Sequence, residues 1–322
     1  MLAILSATFP FFALILAGYV AARRRLLPLE AVAGLNGFVL FFALPCMLFR
    51  FGATTPLPLL LDPLLAAVYL LVALVLVGAI VARDRRRLGW NDAAFGALVG
   101  AFPNSGFMGV PLLVALLGAG AAGPVMLTLV ADLLLTSSVC VALSRLGAAG
   151  AAGARQALWR ALQGVARNPM PWSIALGMAC QALSFTLWPP LEATIGLLAA
   201  AASPVALFTI GAVLARSQML ADVGRHRPTP WCEVAPVVLA KLLLHPLLVW
   251  CAGRGALALG LPIQPSALTA MVLAAALPSA SNVSLLAERM GADNGRIARI
   301  ILWSTAIAFF SFSGAVVVLR GG

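Results

Sequence analysis

Charge is scarce in this chain: 10% of its residues are Asp, Glu, Lys or Arg, against 62% hydrophobic, and the mean hydropathy is +1.05. A water-soluble globule so composed would lack the polar surface to cover its core. No polar stretch is long enough to fold as a separate soluble domain. Lysine is almost missing, since Lys241 is the one exception among the 21 basic residues. The arginines sit in short clusters between apolar runs, without the basic stripe and interleaved aromatics of a nucleic-acid binder, so no nucleic acid is expected as partner. The five cysteines stand singly, without metal-ligand or C-x-x-C spacing, and their odd number argues against a disulfide framework. They read as small hydrophobes in a packed bundle, with no metal site. Enzyme signatures are missing as well: there is no P-loop, G-x-S-x-G elbow, H-E-x-x-H or pair of catalytic carboxylates. Neither catalysis, nor a cofactor, nor pumping by bound ATP is expected.

What the chain has in abundance is apolar runs of about 20 residues, the length of helix that crosses ~30 Å of hydrocarbon. They predict ten transmembrane helices, near residues 2–22, 31–50, 60–82, 92–117, 121–144, 170–188, 191–215, 233–252, 265–288 and 296–319. The lipid bilayer is the solvent. Seventeen of the arginines fall in the loops of one side, from Arg23–Arg25 to Arg299, and three (Arg50, Arg254 and Arg320) on the other. By the positive-inside rule the rich loops are cytoplasmic and both termini lie outside the cytoplasm, in a multi-pass protein of the cell inner membrane. No basic residue precedes the first apolar run, whereas Arg23, Arg24 and Arg25 follow it, as in an uncleaved first helix.

Shifting the chain by 159 residues lays predicted helices 1–2 on helices 6–7: Pro10 meets Pro169, Gly18 meets Gly177, Gly37 meets Gly196 and Pro45 meets Pro204. Pro103 and Pro278 match at an offset of 175. Each half holds an odd number of helices, five, so the halves insert with opposite orientation, as in many secondary transporters. The expected organisation is a first repeat over 1–144, a cytoplasmic linker over 145–169 and a second repeat over 170–322.

Helix 4 carries Phe102-Pro103-Asn104-Ser105-Gly106-Phe107-Met108-Gly109-Val110-Pro111 deep in its span, and helix 9 carries Leu277-Pro278-Ser279-Ala280-Ser281-Asn282. Each proline removes an amide donor and clashes with the preceding turn, opening the backbone. Opened backbone is tolerated in a bilayer only where it faces protein or a water-filled cavity. Two such breaks in inverted halves are expected to meet near the midplane, where half-helix N-termini attract an anion. The candidate substrate-binding residues are Pro103, Asn104, Ser105, Gly106, Pro278, Ser279, Ser281 and Asn282. The plainer reading is proline kinks with small residues for close packing.

Charges within the spans are few, and each needs a partner or a task. Asp132 in helix 5 and Lys241 in helix 8 either pair with one another, or serve transport, with Lys241 attracting the substrate anion and Asp132 binding a coupling proton. His245, one turn after Lys241, either joins a proton path or packs beside the kink at Pro246.

With these residues in view, the chain resembles the auxin efflux carrier family of ten-helix transporters, in particular its bacterial malate/malonate permease-like members. The resemblance runs nearly the full length. It is most specific at Pro103-Asn104-x-Gly106-Phe107-x-Gly109-x-Pro111 and from Leu277-Pro278 through Ala287-x-x-x-Gly291-x-Asp293. Lys241-x-x-x-x-Pro246 and Trp303-Ser304-Thr305 add to it. The resemblance implies an all-α membrane protein whose broken helices 4 and 9 cross, a fold similar to that of sodium/proton antiporters and bile-acid symporters. It also implies a scaffold domain from helices 1, 2, 6 and 7, a transport domain from helices 3–5 and 8–10, and carboxylate-type substrates. The adjacent Asp pair of the antiporters is missing, for Ala131 precedes Asp132.

The expected function is therefore a permease for a small organic anion that works by alternating access, either facilitative or secondary active with H+ or Na+ as the coupling ion. The alternatives are a cation/proton exchanger using Asp132, and a non-transporting membrane scaffold or receptor. Oligomeric state, a homodimer included, is left open by the residues.

Overall fold

The computed structural model describes residues 2–56, 58, 62–146, 169–222 and 230–321. Most of the expected linker, and the stretch holding Arg225, His226 and Arg227, lie outside the described residues. The described chain is helical: α1 (Leu2–Arg23), α2 (Ala31–Thr54), α3 (Pro63–Ala101), α4 (Ser105–Leu117), α5 (Ala119–Ser144), α6 (Pro169–Ala182), α7 (Pro189–Asp222), α8 (Trp231–Ala258), α9 (Pro265–Ala275), α10 (Asn282–Arg289) and α11 (Asn294–Gly321). Among the described residues, six helices are long and apolar enough to cross a membrane: α2, α3, α5, α7, α8 and α11. Large apolar side chains such as Leu71, Leu197 and Phe310 point outward, while Asp132, Lys241 and His245 are fully buried. This is the distribution of a protein whose outer face meets lipid tails.

Local chemistry explains the ends and irregularities. Asp62 caps α3, its carboxylate accepting from the Leu64 and Leu65 amides at 3.0 and 2.9 Å, with Pro63 as first helical residue. The loop expected to hold Arg83 and Arg85–Arg87 is not a loop. Helix continues through these arginines and turns once, at Gly89, whose φ of 82° is open to glycine and strained for other residues. Three π-helical turns, Val39–Ala43, Ser105–Gly109 and Ala240–Leu244, each end two residues before a proline, namely Pro45, Pro111 and Pro246. The proline ring cannot be accommodated beneath an ordinary turn, and widening that turn relieves the clash. A fourth π-turn, Asp132–Thr136, has no following proline.

The helices pack in a definite pattern. α1 lies chiefly along α7, and α2 lies against α6 and α7. Glycine makes these approaches possible: a Cβ at Gly18 would strike the Phe208 carbonyl, and one at Gly211 would strike that of Ile15. Likewise a Cβ at Gly177 would strike the Phe49 carbonyl, and one at Gly52 would lie 2.6 Å from that of Ile174. Backbone meets backbone at all four, the close packing that small residues permit between membrane helices. Gly37 and Gly196, which also matched in the sequence, have no such neighbour. Elsewhere α3 packs on α5 and α8, and α9 on α5 and α8.

One end of this second group is fastened by a buried ion pair. Arg296, 1% exposed, donates to Asp84 at 2.6 Å, to the Asp92 carbonyl at 3.0 Å and to the Glu233 carbonyl at 3.3 Å. It thereby joins α3, α8 and α11. Gly96 leaves the room, since a Cβ there would lie 2.5 Å from a guanidinium nitrogen.

Candidate functional site

Phe102 and Leu277 each precede a proline, a position pushed out of helical space by the proline ring. Phe102 is extended (φ −89°, ψ 104°), which ends α3, and α4 begins at Ser105. α9 stops at Ala275 and α10 begins at Asn282. The two extended stretches pair. The Asn104 amide donates to the Pro278 carbonyl at 2.8 Å and the Ala280 amide to the Phe102 carbonyl at 3.0 Å, forming an antiparallel bridge between Pro103 and Ser279. Backbone groups released by one break thus satisfy those of the other, which a buried chain requires.

Neighbouring helices complete the arrangement. The Asn104 carbonyl accepts from Met108 and Gly109 at 3.1 and 2.9 Å, opening α4 with a wide turn. The Ser279 amide donates to Ser304 Oγ of α11 at 3.2 Å. Ser105 Oγ lies 3.4 Å from Thr128 Oγ1 of α5. Pro103, Asn104, Ser105, Gly106, Pro278 and Ser279 are buried, whereas Ser281 and Asn282 are half-buried. Two polar atoms here have no partner, Ser279 Oγ and Asn282 Oδ1. At the start of α4 the Ser105 amide donates to the Pro103 carbonyl at 2.8 Å, and at the start of α10 the Val283 and Ser284 amides donate to the Ala280 and Ser281 carbonyls at 3.4 and 3.2 Å. A cluster of neutral donors beside two helix N-termini can take a carboxylate.

Asp132, Lys241 and His245 form a separate cluster. The Asp132 carboxylate accepts from Tyr69 Oη at 2.6 Å and from Thr136 Oγ1 at 2.9 Å. Lys241 Nζ donates to the Ala275 carbonyl at 2.8 Å and lies 3.1 Å from His245 Nδ1. Asp132 and Lys241 are not within ion-pair distance, so the direct pair weighed from the sequence is not formed. Lys241 is fully buried and its ammonium is engaged by the end of α9.

Sequence reading missed Thr128, Ser304 and Tyr69 as members of these clusters. Ser304 lay within a quoted motif, and Tyr69 is one of only two tyrosines in the chain, set in the middle of an apolar run. A lone hydroxyl at such a depth was the available signal.

Compared with known proteins, residues 3–316 match the model of a family described as "Membrane transport protein". The chain is 33% identical over 322 residues to a Rhizobium meliloti (strain 1021) protein named "Putative malonate transporter", covering 97% of this chain and 95% of that one. It is 25% identical over 293 residues to the "Uncharacterized transporter YfdV" of Escherichia coli (strain K12), covering 87% and 86% of the two chains. With several apolar helices of membrane-crossing length and a match across nearly its whole extent, this multi-pass membrane protein belongs to the membrane transport protein family, that of the auxin efflux carriers.

Proposed function

We propose that the protein is a permease for a small organic anion, a carboxylate such as malonate, working by alternating access across the cell inner membrane. Substrate is held at the crossover by Asn104, Ser105, Gly106, Ser279, Ser281 and Asn282, with Pro103 and Pro278 keeping the backbone open. The observation that carries this reading is the pairing of the two breaks beside the unpartnered Ser279 Oγ, whose hydroxyl can donate to a carboxylate. Hydrogen-bonding capacity left unused in a buried place costs free energy unless something binds there. The name of the Rhizobium meliloti relative supports malonate as first substrate to test.

Ten membrane spans in two inverted five-helix repeats are part of the proposal, with both termini outside the cytoplasm. Support comes from contacts that exchange under the shift of 159 residues. Gly18 against Phe208 becomes Gly177 against Phe49, and Gly52 against Ile174 becomes Gly211 against Ile15. At the breaks the two bridging hydrogen bonds exchange under a shift of 176, one more than the 175 that aligns the prolines. Ser304 occupies the Ser279 amide, which leaves the next amide, that of Ala280, to pair. Helices α1, α2, α6 and α7, sealed by glycine, serve as scaffold, and α3–α5 and α8–α11 move with the substrate.

Uptake of radiolabelled malonate by the purified protein in proteoliposomes tests the reading. Saturable uptake, competed by other small carboxylates and lowered by Asn104→Ala, is expected. No flux of any carboxylate, together with pH-dependent sodium movement, would replace it with the exchanger.

A further inference from the structure

The cluster around Asp132 and Lys241 lies apart from the residues proposed to hold the substrate, and it gathers the fully buried Tyr69, Asp132, Lys241 and His245. Lys241 Nζ donates at 2.8 Å to the carbonyl of Ala275, the last residue of α9. That carbonyl is the negative pole of the half-helix, and the next residues form the break that pairs with Phe102–Asn104. A change in charge here therefore acts on the backbone of the crossover.

Asp132 interacts electrostatically with Lys241 without forming an ion pair, and its carboxylate accepts from Tyr69 and Thr136. Tyr69 also packs its ring on His245, with centroids 5.8 Å apart, so α3, α5 and α8 converge. The groups facing one another are Tyr69 from α3, Asp132 and Cys140 from α5, and Lys241 and His245 from α8. From α9 comes only the Ala275 carbonyl, and α11 carries no titratable side chain between Ile300 and Leu319. An ammonium that donates to His245 Nδ1 leaves that ring neutral, with its proton on Nε2. Nε2 is buried and has no partner, so its N–H is left without an acceptor. The backbone is unusual here too. Asp132 begins the π-turn that no proline explains, and Ser137 Oγ donates into it, to the Asp132 and Leu133 carbonyls at 2.9 and 2.6 Å. Such turns are frequent at functional sites.

Resting on the carboxylate-transport reading, we infer that Asp132 and Lys241 make transport proton-coupled: one proton taken up by Asp132 unmasks the Lys241 ammonium beside the crossover, and that net positive charge admits one carboxylate charge. The proton comes from hydronium, forms the O–H of the Asp132 carboxyl and leaves water behind. Its release on the other side restores the neutral Asp132–Lys241 couple and expels the anion. His245 is a positioning residue that holds Nζ toward Ala275.

The test uses proteoliposomes containing the whole protein, radiolabelled malonate and an internal pH dye, with the membrane potential clamped. Wild type is expected to acidify the lumen as malonate enters from an acidic bath. Each unit of pH gradient should support about a tenfold accumulation per proton. Asp132→Asn keeps an oxygen for Tyr69 and Thr136 but binds no proton, so malonate/malonate exchange should persist without pH dependence and accumulation should vanish. Tyr69→Phe, the second variant, should displace the pH midpoint of uptake. Robust malonate exchange in wild type with no linked proton flux overturns the inference and spares the transport reading, as does pH-dependent accumulation by Asp132→Asn. No carboxylate flux of any kind, from protein that is monodisperse in detergent, takes down both.

Discussion

Two kinds of crossing hold this molecule together, and they differ in what they leave over. Where α1 meets α7 and α2 meets α6, glycines bring backbone onto backbone, and a single added Cβ at Gly18, Gly177 or Gly211 has nowhere to go. Where the break after α3 meets the break after α9, two backbone hydrogen bonds make the contact, and the Ser279 and Asn282 oxygens beside it remain free. The first crossing is closed by backbone shape, with a side-chain hydrogen bond, from Tyr19 of α1 to Gln218 of α7, beside it. The second holds its shape through backbone atoms, so its side chains are available for binding. On the proposed function, the first crossing belongs to the fixed frame and the second to the binding element.

The comparison breaks most visibly at the glycines. Gly211→Leu should abolish the monodisperse peak on size-exclusion in detergent, because the obstacle is the Ile15 backbone and the cost exceeds the ~1–3 kcal/mol of ordinary overpacking. Gly37→Leu, at a glycine with nothing within 4 Å, should leave that peak intact. Next in size is the ion pair that anchors the far end of the second group. Arg296→Met leaves Asp84 buried without its close partner and should cost about 3–5 kcal/mol, read as a large fall in melting temperature.

Two smaller changes sharpen the contrast. Asn104→Ala retains the backbone amide that holds the bridge, so the melting temperature should stay while malonate uptake falls about tenfold, the equivalent of one lost hydrogen bond at ~1.4 kcal/mol. A matching drop in stability and uptake would mean that Asn104 serves the frame. Smallest is Ser203→Ala, which removes the 3.3 Å hydrogen bond from α7 to the Phe107 carbonyl of α4, a direct link between the two regions. Uptake within about twofold of wild type is expected for so long a bond.

Legibility in the sequence followed the range of the cause. Pro103, Pro278 and the residues before them announce the breaks locally, and Pro45, Pro111 and Pro246 announce three of the widened turns. Gly89 did not announce its role, because glycine is common here and only its positive φ separates a turn from a packing gap. Arg296 read as one more cytoplasmic arginine, although its partner Asp84, 212 residues away, makes it a buried tie. The glycine pair Gly52 and Gly211 obeys the same shift of 159 as the matched pairs but stood out only when both met carbonyls.

By itself, then, the sequence determined that this chain is a helical membrane protein and where two of its helices must open, since hydropathy and proline sterics act within a turn or two of their cause. Only the tertiary structure decided which matched glycines close a crossing, that the two breaks answer each other, and that Lys241 is engaged by the end of α9 rather than by Asp132. Those outcomes depend on which backbone atoms come within about 3 Å of one another across the bundle, and no local rule of sequence carries that distance.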